Sequence, residues 1–395
     1  MIKAVLLDLD DTLLTNPTPQ FVERYLGTLD HYLAETLGVP GLLKPLIEST
    51  RAVQTSQDPL RTNFDTFFAA MTPALTMGRA KFDRVVEAFY QTAYTTLREH
   101  TAVRPAARRL VEWLLERGYR VVVATNPFFP RVAIEQRLAW AGVPVDEVGF
   151  DLVTSLENMH FSKPHPQYYE EILARVGVLA DEAIMVGDDW GNDITPAWRA
   201  GLNTYWTGGD TAPAGEIVPD GCGPFEDFAR LVEHEGWLDH LAPRPLEPAQ
   251  IIPRLSGSLA GLLGIAAEVP AAAWETRPAE GEWSPGEVIC HLDNVERLLY
   301  QPWIARICQE DNPLLTVDAL PPAPACSGDV TAALADFGAA RLETIAFLAG
   351  LDSDTWQRPA RFKGEDITLL IRCDRIAHHD RNHIGQIRAA VGTSF

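Results

Sequence analysis

The sequence predicts an α/β domain built on a doubly wound parallel sheet with a helical insertion, followed by an all-α four-helix bundle. Two patterns predict this fold class. Up to about residue 205, short apolar segments alternate with helical segments that end at glycines such as Gly118 and Gly177, and this alternation is typical of a parallel sheet. After about residue 248, four long helical patterns follow one another, which favours a helix bundle.

The first domain is predicted to span residues 1–240. Residues 2–7 have the composition of a buried strand, whereas residues 17–100 show helical patterns only. Three further strand patterns then alternate with helices, at 119–124, 149–154 and 183–186. Since one strand precedes the helical stretch and the others follow it, we predict that residues 17–100 form an insertion after the first strand.

The second domain is predicted to span residues 249–395. Residues 241–248 contain three prolines in eight positions, and such a segment is stiff, extended and typical of a linker. Beyond it the sequence shows no strand pattern. The four helices are predicted at about 249–267, 285–309, 329–350 and 367–391.

Composition limits the classes of partner. The chain has 395 residues, enough for two domains, and a net charge of −21. Basic and acidic residues number 20 and 34 in residues 1–240, and 13 and 20 in the remainder, so neither domain has the basic excess that binds nucleic acid.

The expected compartment is the cytoplasm. No apolar run reaches the roughly 20 residues of a membrane helix, so we expect no membrane partner. Met1 leads directly into a strand pattern, without the features of a signal peptide. The five cysteines form no C-x-x-C pair, which indicates reduced and mostly buried thiols.

Polar residues follow three of the predicted strands. Asp8, Asp10 and Asp11 come after the first strand, Thr125-Asn126 after the second, and Gly187-Asp188-Asp189 after the fourth. Lys163 lies in a loop before a helix. Because ligands of open α/β sheets bind at the carboxyl ends of the strands, these residues are predicted to share one pocket.

The residue types suit phosphoryl transfer. Clustered carboxylates repel one another unless a cation is present, and oxygen ligands favour Mg²⁺. One carboxylate can attack phosphorus while a second handles the protons, and a lysine and a hydroxyl can hold the phosphoryl oxygens. A single aspartate after a strand is more often a turn or cap residue. The order and placement of four such signals favour a site.

These four segments resemble the motifs of the haloacid dehalogenase (HAD) superfamily. Asp8-Leu9-Asp10-Asp11-Thr12-Leu13 resembles its D-x-D-x-T-L motif, and Gly187 to Asp193 resembles G-D-x-x-x-x-D. Thr125 and Lys163 stand at the second and third motif positions. The resemblance spans about residues 1–205, and it implies that the helical insertion is a cap that closes over the site and selects the substrate.

The resemblance also implies residue roles. Asp8 is the implied nucleophile and a magnesium ligand, and Asp10 the general acid and base with its carbonyl on the metal. Thr125 and Lys163 hold the phosphoryl group, with Asn126 nearby. Asp188 binds the metal, and Asp193 binds or orients it. Dehalogenases of the superfamily lack the second aspartate of the first motif, so Asp10 favours a phosphatase acting on a small phosphorylated metabolite.

Three histidines of the second domain form another candidate site. His379 and His383 lie one helical turn apart and continue the apolar stripe of their helix. His291, on the second helix, is flanked by Ile289 and Leu292. Three inward imidazoles predict a divalent metal site with open positions, and the alternative is buried histidines that bond to their neighbours.

This arrangement resembles the DinB-like (YfiT-like) metal-binding bundles over about residues 250–391. The segments concerned are Trp283 to Leu292 and His379 to Ile387, which resemble W-S-x-x-E-x-x-x-H-L and H-D-x-x-H-x-x-Q-I. The resemblance implies a second divalent transition metal, of the zinc, nickel or iron type, at His291, His379 and His383.

Three functions remain open from the sequence. The first is an HAD phosphatase with an accessory metal-binding bundle. The second is a metal-dependent thiol transferase or hydrolase in the bundle, with the HAD domain in the same pathway. The third is a non-enzymatic bundle that mediates dimerisation, and bundles of this family often pair through their helices, which implies a homodimer.

Overall fold

The structure, a computed structural model, describes residues 1–37, 41–75, 78–318, 320 and 329–392. These residues form two compact units. The first comprises Met1–Tyr168 and Ala180–Arg244, and the second comprises Tyr169–Leu179 together with the chain from Pro245 onward. The helix Pro166–Val176 therefore begins in the first unit and continues in the second.

A six-stranded, all-parallel sheet forms the centre of the first unit. In spatial order its strands are Leu152–Val153, Arg120–Val123, Ala4–Leu7, Ala183–Gly187, Asn203–Trp206 and Gly221–Cys222. Every residue of Ala4–Leu7 is fully buried, which explains its unbroken apolar sequence. This strand pairs with Arg120–Val123 on one side and Ala183–Gly187 on the other. The predicted doubly wound α/β fold is confirmed.

Helices connect these strands in the order expected of a parallel sheet. The connecting and terminal helices are Pro105–Glu116, Arg131–Trp140, Pro166–Val176, Thr195–Arg199 and Phe225–Glu235. One π-helical turn, Trp190–Ile194, follows the strand Ala183–Gly187.

The helical insertion lies between two short strands that the sequence patterns did not predict. Leu14–Thr15 and Ala102–Val103 pair in antiparallel fashion and so join the two ends of the insertion. Its helices are Thr18–Leu37, Leu43–Thr55, Asn63–Met71 and Arg79–Gln91, with the 3-10 segment Ala93–His100. Phe82, Phe89 and Tyr90 are buried in its core.

Four long helical segments dominate the second unit, as predicted. They are Ile251–Glu268, residues 285–309, Val330–Ala349 and Leu369–Val391, and the second of them contains a π-helical turn at Glu296–Tyr300. The first helix packs on the third and the fourth, and so does the second. Ser284 and Glu287 cap the start of the second helix reciprocally, a capping box that fixes where the helix begins.

The second unit also contains a three-stranded sheet, so the prediction that strands are absent there is wrong. The strands are Leu314–Leu315, Pro359–Phe362 and Glu365–Thr368. The last two form a hairpin whose turn residues, Lys363 and Gly364, have φ values of 49° and 84°. Positive φ at both central positions suits the twist of a two-residue hairpin. Strands of two and four residues are too short to show a clear alternation of apolar residues.

The predicted reduced state of the cysteines holds only in part. Cys222, Cys308 and Cys373 are free thiols, but Cys290 is disulfide-bonded, so the prediction of reduced cysteines is wrong for Cys290.

By length and composition alone, the helix of residues 248–268 could cross a membrane, and 78% of its most apolar window is buried inside the protein. Such burial is also what the core helix of a folded bundle shows.

A network of buried charges joins the helices of the second unit. Arg341 donates to Glu296 at 2.8 Å and to Asp380 at 2.5 Å, and all three side chains are at most 1% exposed. Ser258 donates to Asp380 at 2.7 Å and Thr344 donates to Glu296 at 2.5 Å. The arginine thus compensates two carboxylates that have no access to solvent.

We expect Arg341→Met to destabilise the second unit by about 3–5 kcal/mol, because it leaves two buried carboxylates without a counter-charge. Chemical denaturation of the full chain measures this loss. Arg297→Met is the control, since Arg297 pairs with Asp293 at a side-chain exposure of 41% and should cost less than about 1 kcal/mol. Equal losses in the two variants would contradict the prediction.

Candidate active site and candidate metal centre

The sheet places the motif residues of the first unit at one edge. Asp8 directly follows Ala4–Leu7, and Asp188 directly follows Ala183–Gly187. These two strands are hydrogen-bonded neighbours, and the backbone N–H of Asp8 donates to the carbonyl of Val186 at 2.9 Å. Asp8 and Asp188 therefore emerge side by side at the carboxyl ends of adjacent parallel strands, where open α/β sheets bind ligands.

Lys163 connects two of the carboxylates. Its Nζ donates to Asp8 Oδ1 at 2.7 Å and also to Asp193 Oδ1. Lys163 is 1% exposed and Asp193 is 1% exposed. A buried ammonium between two carboxylates is a fixed positive charge that partly offsets their negative charge.

Three carboxylates of this site lie together. Asp8, Asp188 and Asp193 each offer an oxygen, and these oxygens lie within 4.8 Å of one another. Burial raises the pKa of Asp8 well above its usual value, and that of Asp193 as well. Burial, followed by the charges of Asp193 and Asp11, raises the pKa of Asp188 to about 7.

These carboxylates fit a divalent cation. Grouped and buried, they resist ionisation, as the raised pKa values show, and a cation removes that cost. Three carboxylate oxygens are hard ligands of the kind that Mg²⁺ prefers. Lys163 contributes one positive charge against three acidic groups, so the site remains short of positive charge.

Gly187 allows the carboxylate of Asp193 to lie against the end of the strand. A Cβ at Gly187 would lie 2.8 Å from the Cβ of Asp193 and closer still to its carboxylate. The turn between them is capped by Asp189, which accepts from the backbone N–H of Gly191 at 2.8 Å and of Asn192 at 2.9 Å. The G-D-x-x-x-x-D spacing is thus a close-packed turn that presents Asp188 and Asp193 together.

We expect Gly187→Ala to lower kcat/KM for a phosphate ester at least about tenfold. The added methyl group displaces Asp193, which then loses its hydrogen bond to Lys163. Gly149→Ala is the matched control, since a Cβ there meets no atom within 4 Å. Steady-state kinetics of both variants measure the effect. Unchanged kinetics for Gly187→Ala would show that the position of Asp193 is not critical.

Asp10 faces a different set of partners. Asn16 Nδ2 donates to its Oδ1 at 2.7 Å, and Arg137 Nη1 donates to its Oδ2. Its carboxylate is not part of the group formed by Asp8, Asp188 and Asp193.

The turn after the first strand has an unusual backbone. Asp11 has a φ of 59°, a left-handed conformation that aspartate tolerates better than most residues. Its carboxylate accepts from the backbone N–H of Asn16 at 2.9 Å, and Arg104 donates to its carbonyl at 3.1 Å. These bonds hold the turn that carries Asp8 and Asp10.

Thr125 and Asn126 follow the strand Arg120–Val123. Thr125 is 2% exposed, and its carbonyl accepts from the hydroxyls of Thr154 and Tyr168, each at 2.8 Å. Within the part of the chain that the structure describes, Asn126 Oδ1 is buried without a hydrogen-bond partner.

Sequence patterns missed two residues of this site, Asn16 and Arg137. Asn16 lies in a turn, and asparagine is common in turns for local reasons. Arg137 belongs to a helix and lies 127 positions from Asp10, with no motif beside it. No pattern in a single sequence separates such a buried arginine from one on a helix surface.

The three histidines of the second unit also meet. His379 Nε2 lies 3.3 Å from His291 Nε2 and 3.2 Å from His383 Nε2, and the three ligand atoms lie within 4.8 Å of one another. His291 comes from Pro285–Val295, and the other two come from Leu369–Val391. The three ring nitrogens therefore converge on one point between two helices.

Burial keeps these imidazoles neutral. It lowers the pKa of His379 to about 3 and that of His291 to about 4, and it also lowers the pKa of His383. Neutral imidazole is the form that binds metals. The group therefore offers lone pairs without first having to lose protons.

Neighbouring residues orient the ring of His383. His383 Nδ1 lies 3.0 Å from Gln386 Oε1, a carbonyl that accepts the Nδ1 proton and leaves the Nε2 lone pair for the shared point. The ring of Trp283 stacks on His383 at an interplanar angle of 13°. Three converging Nε2 atoms cannot all satisfy one another by hydrogen bonds, and a divalent cation among them removes that conflict. The donor set fits zinc, nickel or iron-type ions.

Two family models match the chain, one in each half. The model of the haloacid dehalogenase-like hydrolases matches residues 2–201, which is about half of the chain. The model of the DinB superfamily matches residues 254–387.

Curated relatives match about half of the chain. Pyrophosphatase PpaX from Bacillus velezensis is 28% identical over 214 residues, which cover 52% of this chain and 84% of the relative. Pyrophosphatase PpaX from Anoxybacillus flavithermus is 28% identical over 211 residues, which cover 52% of this chain and 85% of the relative.

Two solved structures are each similar to part of the chain. An HAD phosphatase from Thermococcus onnurineus has a TM-score of 0.39 at 22% identity, over 59% of this chain and 98% of that one. YfiT from Bacillus subtilis, described as having an unusual four-helix bundle topology, has a TM-score of 0.33 at 18% identity, over 38% of this chain and 88% of that one.

These matches agree in sequence range with the two sites. The first family covers Asp8, Lys163 and Asp193, and the second covers the three histidines. Residues 254–387 match the model of the DinB superfamily, and the chain belongs to the haloacid dehalogenase-like hydrolase family, as an enzyme of the phosphatase type.

Proposed function

We propose that the protein is a magnesium-dependent phosphate-monoester hydrolase that acts through an aspartyl-phosphate on Asp8. One observation carries this proposal. Asp8 is buried at the carboxyl end of a central parallel strand, bonded to Lys163 and grouped with Asp188 and Asp193. A nucleophile, a fixed positive charge and a set of cation ligands are thus assembled at one strand edge.

The first half-reaction transfers the phosphoryl group to the protein. A carboxylate oxygen of Asp8 attacks phosphorus and forms a new P–O bond, while the bond from phosphorus to the leaving oxygen breaks. Asp10 gives its proton to that leaving oxygen, which departs as an alcohol. Asp10 is then a carboxylate.

The second half-reaction restores the enzyme. Water attacks phosphorus, Asp10 takes a proton from it, and the bond from phosphorus to Asp8 breaks. Inorganic phosphate leaves, Asp8 is again a carboxylate, and Asp10 is again protonated. The net reaction consumes one water for each ester bond.

Other residues bind the phosphoryl group. Lys163, the Thr125 hydroxyl and Asn126 are the proposed donors to its oxygens, where charge concentrates in the transition state. Magnesium, held by Asp8, Asp188, Asp193 and the Asp10 carbonyl, supplies charge neutralisation when bound.

The substrate class is proposed to be a small phosphorylated metabolite. The insertion between the paired strands Leu14–Thr15 and Ala102–Val103 is the proposed cap that selects it. Since the curated relatives are pyrophosphatases, pyrophosphate belongs in any substrate panel beside sugar, acyl and nucleoside phosphates. The acidic balance of the chain leads us to propose no nucleic-acid partner. We also propose a cytoplasmic location, since Cys222, Cys308 and Cys373 are free thiols.

We propose in addition that His291, His379 and His383 hold a divalent transition metal. The convergence of their Nε2 atoms supports this proposal. Domain boundaries at residues 1–240 and 249–395, with the linker 241–248, remain part of the proposal. A thiol transferase or hydrolase activity of the bundle and a homodimer formed through it are the alternatives for its role.

Hydrolysis assays with controlled metals test the proposal. The protein is stripped of metals with a chelator and assayed on p-nitrophenyl phosphate and a phosphometabolite panel, with magnesium alone or with zinc or nickel alone. Turnover with magnesium alone is the expected result. The proposal is contradicted if the folded protein hydrolyses no member of the panel with magnesium, or if it is active with zinc or nickel but not with magnesium. Either result favours chemistry in the bundle.

A further inference from the structure

Two side chains hold the carboxylate of Asp10. Asn16 Nδ2 donates to Oδ1 at 2.7 Å, and Arg137 Nη1 donates to Oδ2. Asn16 is close to Asp10 in sequence, but Arg137 comes from the helix Arg131–Trp140. Because each oxygen has its own donor, the plane of the carboxyl group is fixed.

The burial of Arg137 costs free energy. It is 0% exposed, and within the described part of the chain its Nε and Nη2 are buried without a hydrogen-bond partner. Its guanidinium lies 4.3 Å from the ring centre of Phe129, and burial opposes its charge while the charge of Asp10 favours it. Among described residues, Asp10 is the one carboxylate paired with it.

Stability alone does not explain this arrangement. A buried ion pair usually contributes little net stability, because desolvation offsets the attraction, and well-packed apolar residues often do as well. A guanidinium with unsatisfied donors is still less favourable. Buried side chains that impose such a cost are frequent where a reaction requires a fixed geometry.

We propose that Arg137 is a positioning residue that orients the Asp10 carboxyl group for proton transfer to the leaving oxygen. This inference rests on the proposed function, in which Asp10 protonates that oxygen. The ring of Phe129 and the guanidinium restrict rotation of the pair, and Asn16 fixes the other oxygen. The lone-pair position of Asp10 that carries the proton then points in a set direction, as a general acid needs in order to meet its acceptor.

The leaving group provides the decisive readout. The value of kcat/KM reports the steps up to the first phosphoryl transfer, in which the leaving oxygen takes its proton. An alkyl phosphate needs that proton, whereas p-nitrophenolate leaves without it. Arg137→Met should therefore lower kcat/KM about 100-fold on an alkyl phosphate and less than about fivefold on p-nitrophenyl phosphate.

Two control variants accompany it. Arg131 lies on the same helix, is exposed and pairs with Glu135. The variant Arg131→Met should therefore have the same kcat/KM as the wild type on both esters. Arg137→Lys keeps the charge but cannot hold a carboxylate in a plane, so it should show the same selectivity with a smaller loss. If Arg137→Met does not fold, judged by circular dichroism, the selective loss in Arg137→Lys is the test.

A double-mutant cycle separates positioning from a general structural effect. In the Asp10→Asn background, Arg137→Met should change kcat/KM on the alkyl phosphate by less than about twofold, because Arg137 acts through Asp10. Losses that multiply, or equal losses on the two esters, overturn the inference and leave the proposed function standing. If Asp10→Asn itself has no effect on the alkyl ester, the proposed function fails at Asp10 and the inference fails with it.

Discussion

Asp8→Asn is expected to lower magnesium-dependent hydrolysis of p-nitrophenyl phosphate by about a thousandfold or more, equivalent to about 4 kcal/mol of transition-state stabilisation. The amide cannot attack phosphorus, so no aspartyl-phosphate forms. Lys163 keeps its second partner, Asp193, so the local structure should persist. Steady-state kinetics with magnesium measure the loss.

The same variant should be no less stable than the wild type without metal. Burial raises the pKa of the Asp8 carboxyl in the folded protein. A carboxyl whose folded pKa is raised destabilises the fold when ionised, and stability rises as pH falls through that pKa. At neutral pH the amide removes this cost, so the thermal midpoint should not fall.

Asp181→Asn is the control for both measurements, because Asp181 is exposed in a 3-10 turn. It should leave the kinetics and the thermal midpoint unchanged. Residual activity of Asp8→Asn above about one-tenth of the wild type would mean that another group is the nucleophile. A large fall in its thermal midpoint would mean that Asp8 is chiefly a structural partner of Lys163.

His379→Gln is expected to abolish binding of a transition metal to the bundle. His379 Nε2 lies within 3.3 Å of the Nε2 atoms of both His291 and His383, so its loss leaves only two of the three imidazole ligands. After loading with zinc or nickel and dialysis, elemental analysis should find about one ion per wild-type chain and less than about one-tenth in the variant.

His378→Gln is the matched control, because His378 is the adjacent residue and lies 3.4 Å from Asp374, outside the histidine group. It should retain its metal. Equal metal content in His379→Gln and the wild type would refute the three-histidine site. Phosphatase activity of His379→Gln with magnesium should equal that of the wild type, whereas its loss would indicate that the bundle takes part in the reaction.

The sequence predicted the sheet and its strand-end residues because both depend on local signals. Buried parallel strands are short apolar runs, and the aspartates of the first and fourth motifs follow them directly. Adjacent parallel strands necessarily place Asp8 beside Asp188. Lys163 was identifiable only by its place in a motif, since nothing local indicates that its side chain reaches Asp8 and Asp193.

Other features depend on contacts that a single sequence does not encode locally. Arg137 reaches Asp10 only after helix Arg131–Trp140 has packed beneath the insertion, and its burial has no periodic signature. Strands of two to four residues, such as Leu314–Leu315, fall below the length at which alternation is visible. In the bundle, helical periodicity predicted that His379 and His383 face inward, because they follow the apolar stripe of Cys373 and Ile376.

Trapping the phosphorylated protein tests the central claim most directly. The wild type and Asp8→Asn are mixed with a phosphate ester and magnesium, quenched in acid within a single turnover, and mapped by peptide mass spectrometry. We predict a phosphoryl group on the peptide that contains Asp8 in the wild type and none in the variant. Product formation with no phosphorylated peptide at any time, or phosphorylation at another residue, would contradict the account.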